Sequence, residues 1–224
     1  MTETRLERAI EVTENGPYHV TGGIPLRRVR KIPGDRGSFT EWEVYETLDA
    51  PDEYWLCRCG QSTTKPFCSG MHSKVGFDGT EVAQTDTYRE RAEVLGGTKL
   101  VVRDDRGICA HAAYCSNAMT NVWKAAPKTD DDAEITQTVI AMIERCPSGA
   151  LTMERDGAPS EPALSPEIWV QENGPYLLRG GIPITRSDGQ PIESRNRMCV
   201  CRCGQSSNKP LCDGTHDKVG FQDA

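Results

Sequence analysis

The chain has 224 residues, of which 37% are apolar and only 14 aromatic, and a net charge of −7. Its scattered lysines and arginines exclude nucleic-acid binding through a basic face, and no apolar run approaches the roughly 18 residues of a membrane span. The opening MTETRLERAIEV has neither the layout of a secretion signal nor the acid-poor character of a transit peptide, so a cytoplasmic location is expected, where ten cysteines suit metal better than disulfides.

Taken in chain order, the first recognisable unit is ENGPYHVTGGIPL, from Glu14 to Leu26. Asn-Gly-Pro and Gly-Gly form turns, and the short apolar runs around them suit strands. A connection from Arg27 to Leu56 follows, rich enough in Trp42, Tyr45, Tyr54 and Trp55 to form further strand. Next comes CRCGQSTTKPFCSGMH, with Cys57, Cys59, Cys68 and His72 spaced C-x-C-x8-C-x3-H. Both units recur near the end of the chain. ENGPYLLRGGIPI (Glu172 to Ile184) matches the first at nine of thirteen positions, and CRCGQSSNKPLCDGTH supplies Cys201, Cys203, Cys212 and His216 at the same spacing. Through Lys-Val-Gly-Phe the two cysteine segments share 15 of 21 residues. Duplicated soft-ligand clusters of this kind point to two metal centres.

Between the repeats the sequence changes character. A hairpin is expected from Tyr88–Leu95 and Lys99–Arg103, turning at Gly96-Gly97, and then come Cys109, His111 and Cys115. Ile135, Val139, Met142 and Ile143 fall at i, i+4, i+7 and i+8, one apolar stripe of a helix. Thr129 is expected to cap it, with Asp130, Asp131 and Asp132 favouring its positive end. Cys146-Pro147 ends it, and APSEPALSP (Ala158 to Pro166) reads as a linker.

Ligand chemistry alone leaves two readings of the repeated loop. Zinc accepts a Cys3His site, although zinc loops usually space paired cysteines by two or more residues, and here only Arg58 or Arg202 intervenes. Alternate residues of an extended strand point the same way, so Cys57 and Cys59 would share one iron of a cluster while Cys68 and His72 hold the other. The loop resembles the CDGSH iron–sulfur domain of the NEET family. Cys201, Cys203, Ser206, Pro210, Cys212, Asp213, Gly214, Thr215 and His216 follow that motif without departure. The first copy follows it at Cys57, Cys59, Ser62, Pro66, Cys68, Gly70 and His72, with Ser69 and Met71 departing. The resemblance implies a redox-active 2Fe–2S cluster at each copy, held by the three cysteines and the histidine. Family members are commonly intertwined homodimers, so two copies in one chain imply a covalent version of that dimer, an intramolecular pseudo-two-fold β cap that lets the protein be monomeric.

The middle cysteines are a weaker signal, since buried cysteines are common in cores. CAHAAYC and CPSGALTM resemble the divergent single-cluster ferredoxin-like domain. Ala112 stands where such domains place a middle cysteine, which implies a 3Fe–4S cluster on Cys109, Cys115 and Cys146. His111 is the alternative fourth ligand of a 4Fe–4S cluster. The expected fold is therefore α+β and β-rich, with CDGSH-type units at 1–78 and 167–224 and a ferredoxin-like domain at 79–166. His19 is expected to be an exposed strand residue, Cys199 to pack beside its site, and Lys74 and Lys218 to be solvated. No nucleotide-binding glycine loop or nucleophile signature suggests catalysis. The expected role is electron transfer with a redox partner protein, a reductase or an acceptor. A cluster donor or redox/pH sensor is the first alternative, and a zinc-stabilised interaction module the second.

Overall fold

The computed structural model describes residues 6–34 and 38–223. The first repeat and its connection form β1 (Ala9–Val12), β2 (Tyr18–Thr21), β3 (Leu26–Pro33), β4 (Phe39–Leu48) and β5 (Glu53–Leu56), with a helical turn α1 (Met71–Lys74). The middle segment contains α2 (Tyr88–Arg91), β6 (Glu93–Gly96), β7 (Leu100–Asp104), α3 (Val122–Ala125), α4 (Ala133–Glu144), β8 (Leu151–Arg155) and β9 (Ala158–Ser160). The second repeat closes the chain with β10 (Glu167–Gln171), β11 (Tyr176–Arg179), β12 (Ile184–Thr185), β13 (Arg197–Val200) and α5 (Thr215–Lys218). The result is a β-rich α+β fold, and among the described residues no helix is long and apolar enough to cross a membrane.

The two repeats exchange strands. One sheet has the order β12-β1-β2-β5 and the other β13-β11-β10-β3-β4, so each joins hairpin strands of one repeat to a strand of the other. The joining contacts are parallel and equivalent, Ile10 against Ile184 and Ile168 against Leu26. Strand alternation turns one face of both sheets inward, and the core between them draws eight buried residues from each repeat, including Val12, Tyr18, Val20 and Leu56 with Val170, Tyr176, Leu178 and Val200. Fully burying such a side chain is worth about 1.5–3 kcal/mol. A unit of about sixty residues lacks the volume for a core of this size, and two independently folded beads are excluded by the shared sheets. The expected shared cap is present.

The third sheet, β6-β7-β8-β9, packs on α4. Val139, Met142 and Ile143 are buried there, with Ile135 packed against them. Three local expectations need correction. Tyr88–Arg91 is a helical turn, because Glu90 accepts a hydrogen bond from the Thr87 amide (2.8 Å), a capping box that stops the strand from starting before Glu93. The cap of α4 is Asp132, whose carboxylate accepts from the amides of Glu134 and Ile135. Thr129 instead donates to Ala126 in a preceding turn, and Asp130 is taken up by Thr98 and Lys99 at the tip of the hairpin. Ala158–Ser160 pairs with β8, so the proline-rich linker is shorter than expected. Pro159 is tolerated because β9 is an edge strand.

The middle segment breaks the symmetry of the cap. It covers the outer face of the sheet containing β10, β11 and β13, where Val29, Leu177, Cys199 and Cys212 bury Ala110, flanked by Trp42 and Trp169. The β3–β4 hairpin extends this platform. Tyr114 donates to the Glu41 carbonyl oxygen (2.8 Å) and packs on Trp42. Among the described residues the other sheet has no such cover. Leu177 pairs with Cys199 across β11 and β13, whereas His19 pairs with Trp55 at the equivalent register. His19 is half-buried rather than exposed, since its ring stacks on Trp55 and bonds Glu53 at 2.7 Å.

Candidate metal centres

Each outer site begins where a cap strand runs out into a loop. Tyr18 and Tyr176, buried on the pseudo-axis with ring centroids 5.9 Å apart, hold these loops reciprocally. The Tyr18 hydroxyl donates to the carbonyl oxygens of Cys201 (2.8 Å) and Pro210 (3.1 Å), and that of Tyr176 to those of Cys57 and Pro66, both at 2.9 Å. The loops also touch directly. Gly60 and Gly204 have φ of 76° and 78°, and a Cβ on either would stand 2.5 or 2.7 Å from the carbonyl oxygen of Cys203 or Cys59. Only glycine meets both demands.

The donors are arranged in pairs. Cys57 and Cys59 Sγ are 3.8 Å apart, and Cys201 and Cys203 Sγ 3.9 Å. Cys68 Sγ lies 3.4 Å from His72 Nδ1, and Cys212 Sγ 3.4 Å from His216 Nδ1. Two thiolates about 2.3 Å from one tetrahedral ion are about 3.8 Å apart, and a thiolate and an imidazole about 3.5 Å, so each pair fits one metal. Among the described residues no three such side chains close around a single ion. Backbone amides already face the sulfurs, Gln61 to Cys59 and Gln205 to Cys203 at 3.5 Å, Gly70 to Cys68 and Gly214 to Cys212 at 3.4 Å. Within the cysteine pairs, a thiol-to-sulfur bond holds Cys57 down to about 6 and lowers Cys203, and the same bond, with burial, pushes Cys59 and Cys201 up.

The outer sites are not equally open. Cys212, Gly214 and His216 are buried, whereas Cys68 and His72 are half-buried and Gly70 is exposed. Burial pushes the His216 imidazole below its ordinary value. The cover comes from the middle segment. A Cβ on Gly214 would meet His111 Cδ2 at 2.9 Å, whereas nothing lies within 4 Å of the same position on Gly70.

Cys109, Cys115 and Cys146 line one cavity, together with Tyr114, Pro147 and Leu151. Burial raises the Cys109 and Cys115 thiols, and neighbouring cysteines add to the effect at Cys115. The His111 amide points to Cys109 Sγ at 3.5 Å, and the residue has φ of 56°. His111 also borders the cavity, but the carbon edge of its ring lies over Gly214, so its visible contact is with the second outer site. This middle cavity is fastened to the second repeat. Arg197 of β13 donates to the carbonyl oxygens of Cys146 (2.7 Å) and Leu151 (3.1 Å) and pairs with Glu161 (2.7 Å). Cys199 is buried between, with its thiol pushed up by burial and by the neighbouring Cys212, Cys146 and Cys109.

The sequence reading missed the tyrosine clamps, Arg197 and the contact of His111 with Gly214. The tyrosines were signalled by their recurrence within ENGPY. Nothing in the local sequence marked the other two, which depend on how the middle segment docks. The family model described as iron-binding zinc finger CDGSH type matches residues 15–73 and 173–217, and that described as divergent 4Fe-4S mono-cluster matches residues 95–156. No curated protein matches the chain.

Proposed function

We propose that this chain, an iron–sulfur protein in which two CDGSH-type regions flank a divergent mono-cluster region, carries single electrons through three centres to and from a redox partner protein. Cys57, Cys59, Cys68 and His72 would hold one 2Fe–2S cluster, and Cys201, Cys203, Cys212 and His216 the other. Cys109, Cys115 and Cys146 would hold the third cluster. The family match favours the four-iron form over the three-iron form expected from Ala112, with one iron lacking a cysteine ligand. Bound clusters of these kinds supply reversible one-electron chemistry. The protein's own residues do the rest. The thiolates and imidazoles hold the irons, the four facing amides offset thiolate charge, and the tyrosine clamps keep both loops at fixed separation. The chain itself needs no substrate-converting site for this role.

One observation carries the reading. Ala110 of the middle cysteine loop is buried against Cys199 and Cys212, so two of the three centres share one packed interior. Independent release of clusters gains nothing from such contact, whereas passage of an electron between them is favoured by it. The first site favours a second reading, cluster donation or sensing, because its histidine is half-buried beside an exposed Gly70. Stopped-flow reduction and reoxidation test the choice. Repeated cycling with all iron retained supports the carrier, and loss of iron to an apo-acceptor on oxidation supports the donor.

A further inference from the structure

Each outer site has an arginine between its paired cysteines, and both arginines are about 1% exposed. They differ in what balances their charge. Arg202 donates to the Asp223 carboxylate and to the carbonyl oxygens of Gly174 (2.7 Å) and Gln171 (2.8 Å), with its guanidinium over the Tyr176 and Phe221 rings. Arg58 donates to the carbonyl oxygens of Thr13 (2.9 Å) and Gly79 and lies over Tyr18 and Phe77. Among the described residues its Nε is buried without a hydrogen-bond partner, and no ion pair joins Arg58 to a carboxylate. Two residues after the shared phenylalanine, Gly79 stands where the second copy has Asp223.

The other acids near the loops deepen the contrast. Asp213 and Asp217 occupy the positions of Ser69 and Ser73. The first copy has Asp78 where the second has Gln222, and its charge interacts with Arg58, but the Asp78 carboxylate is exposed, bound to Thr80 at 2.6 Å, and forms no described ion pair with Arg58. Glu81, the next acid, bonds Ser187 at 2.5 Å and faces Arg186 at 3.6 Å. At the second site the opposing cations are Lys31, whose charge acts on Asp217 and His216, and Arg28, 3.6 Å from Asp223. Arg28 is shared with Glu46 at 3.1 Å.

We infer that the first site has the higher reduction potential of the two CDGSH-type centres, with Arg58 as the positioning cation that sets it. The inference rests on the reading that both sites hold a one-electron cluster. Reduction there adds one electron from an external reductant and breaks no bond, so the site gains one negative charge. A buried guanidinium without an ion-paired carboxylate favours that charge, because Coulomb interactions are strong where water is excluded. At the second site Asp223 cancels the equivalent cation. Burial acts in the same direction, since the more enclosed second site solvates added charge less. An electron entering at the middle site would pass through the covered second site and settle at the first, the open one, from which an acceptor collects it.

The test is a redox titration followed by electron paramagnetic resonance on the full chain, with waves assigned through His72→Cys and His216→Cys. The first-site wave should lie above the second by a tenfold or greater factor in reduction equilibrium, about 59 mV for one electron. Asp223→Asn should raise the second wave and leave the first in place. Gly79→Asp should lower the first wave alone. Its Cβ would stand 3.0 Å from Arg58 Nη2 and from the Phe77 ring, so if that variant fails to fold, Asp223→Asn decides, since it removes a charge at nearly constant size. A reversed order, or an unmoved second wave in Asp223→Asn, overturns the inference while leaving the electron-carrier reading intact. Absence of any wave from either outer site overturns both.

Discussion

Removing one tyrosine hydroxyl should weaken the loop of the opposite repeat. Tyr18 belongs to the first repeat, yet its hydroxyl bonds the backbone of Cys201 and Pro210 in the second loop. Tyr18→Phe keeps the ring, its edge contact with Tyr176 and its burial, and deletes only the donor. Burial, the largest cause, pushes the Tyr18 hydroxyl well above its ordinary value, so it is a neutral donor at any working pH. A buried acceptor left short of its partner costs about 1–3 kcal/mol, and for a chain of this size about 1 kcal/mol shifts Tm by about 2–4 °C. A Tm lowered by about 2–12 °C is expected on those two figures. The more specific signature is which cluster suffers. Under mild chelator challenge, site-resolved electron paramagnetic resonance should show Tyr18→Phe losing the second site faster and Tyr176→Phe losing the first. If Tyr18→Phe labilised the first site, or neither, the reciprocal clamp would be wrong.

Replacing His72 or His216 by cysteine should lower the potential of that site, because a fourth thiolate adds negative charge; redox titration of each variant checks this. Acid should remove the two outer clusters in separate phases. Burial holds the His216 pKa below its unfolded value, so the stability it contributes is complete above about pH 6.5 and is lost as pH falls through the lower folded value. Because His72 is half-buried beside the exposed Gly70 while His216 is buried, visible absorbance against pH should show the first site decaying earlier, and His72→Cys should abolish the early phase and spare the late one. Gly214→Ala should destabilise more than Gly70→Ala. Both positions have φ near 80° (81° and 77°), but only the methyl at 214 meets His111, and thermal melts with and without His111→Ala should show the extra cost disappear. Cys146→Ser should erase the middle signal and sharpen that of the second site, its neighbour, while the first stays unchanged in the same spectra.

The repeats were legible in the sequence because their chemistry is local. The C-x-C-x8-C-x3-H spacing puts both pairs of donors within one loop, and ENGPY and GGIP mark the hairpin turns that frame it. The shared cap was implied by the resemblance to intertwined homodimers, and the small core that a single repeat can bury argued against two separate units. What could not be read depends on docking between distant segments. His111 offered itself as a ligand by its place in CAHAAYC, yet its ring covers Gly214, about a hundred residues on. Cys199 and Leu177 differ from Trp55 and His19 because one sheet is covered and the other open, a difference that no periodicity within either strand records. Thr129 was read as a cap ahead of Asp132 because three consecutive acids and a threonine all suit a helix start, and only the hairpin tip that occupies Asp130 separates them.

Iron, zinc and acid-labile sulfide analysis of protein purified without oxygen tests the central claim most directly. Two 2Fe–2S clusters and a four-iron centre should give about eight irons per chain, or about seven if the middle cluster has three, with about eight acid-labile sulfides in either case and negligible zinc. Two or three equivalents of zinc with negligible iron and sulfide would contradict the account.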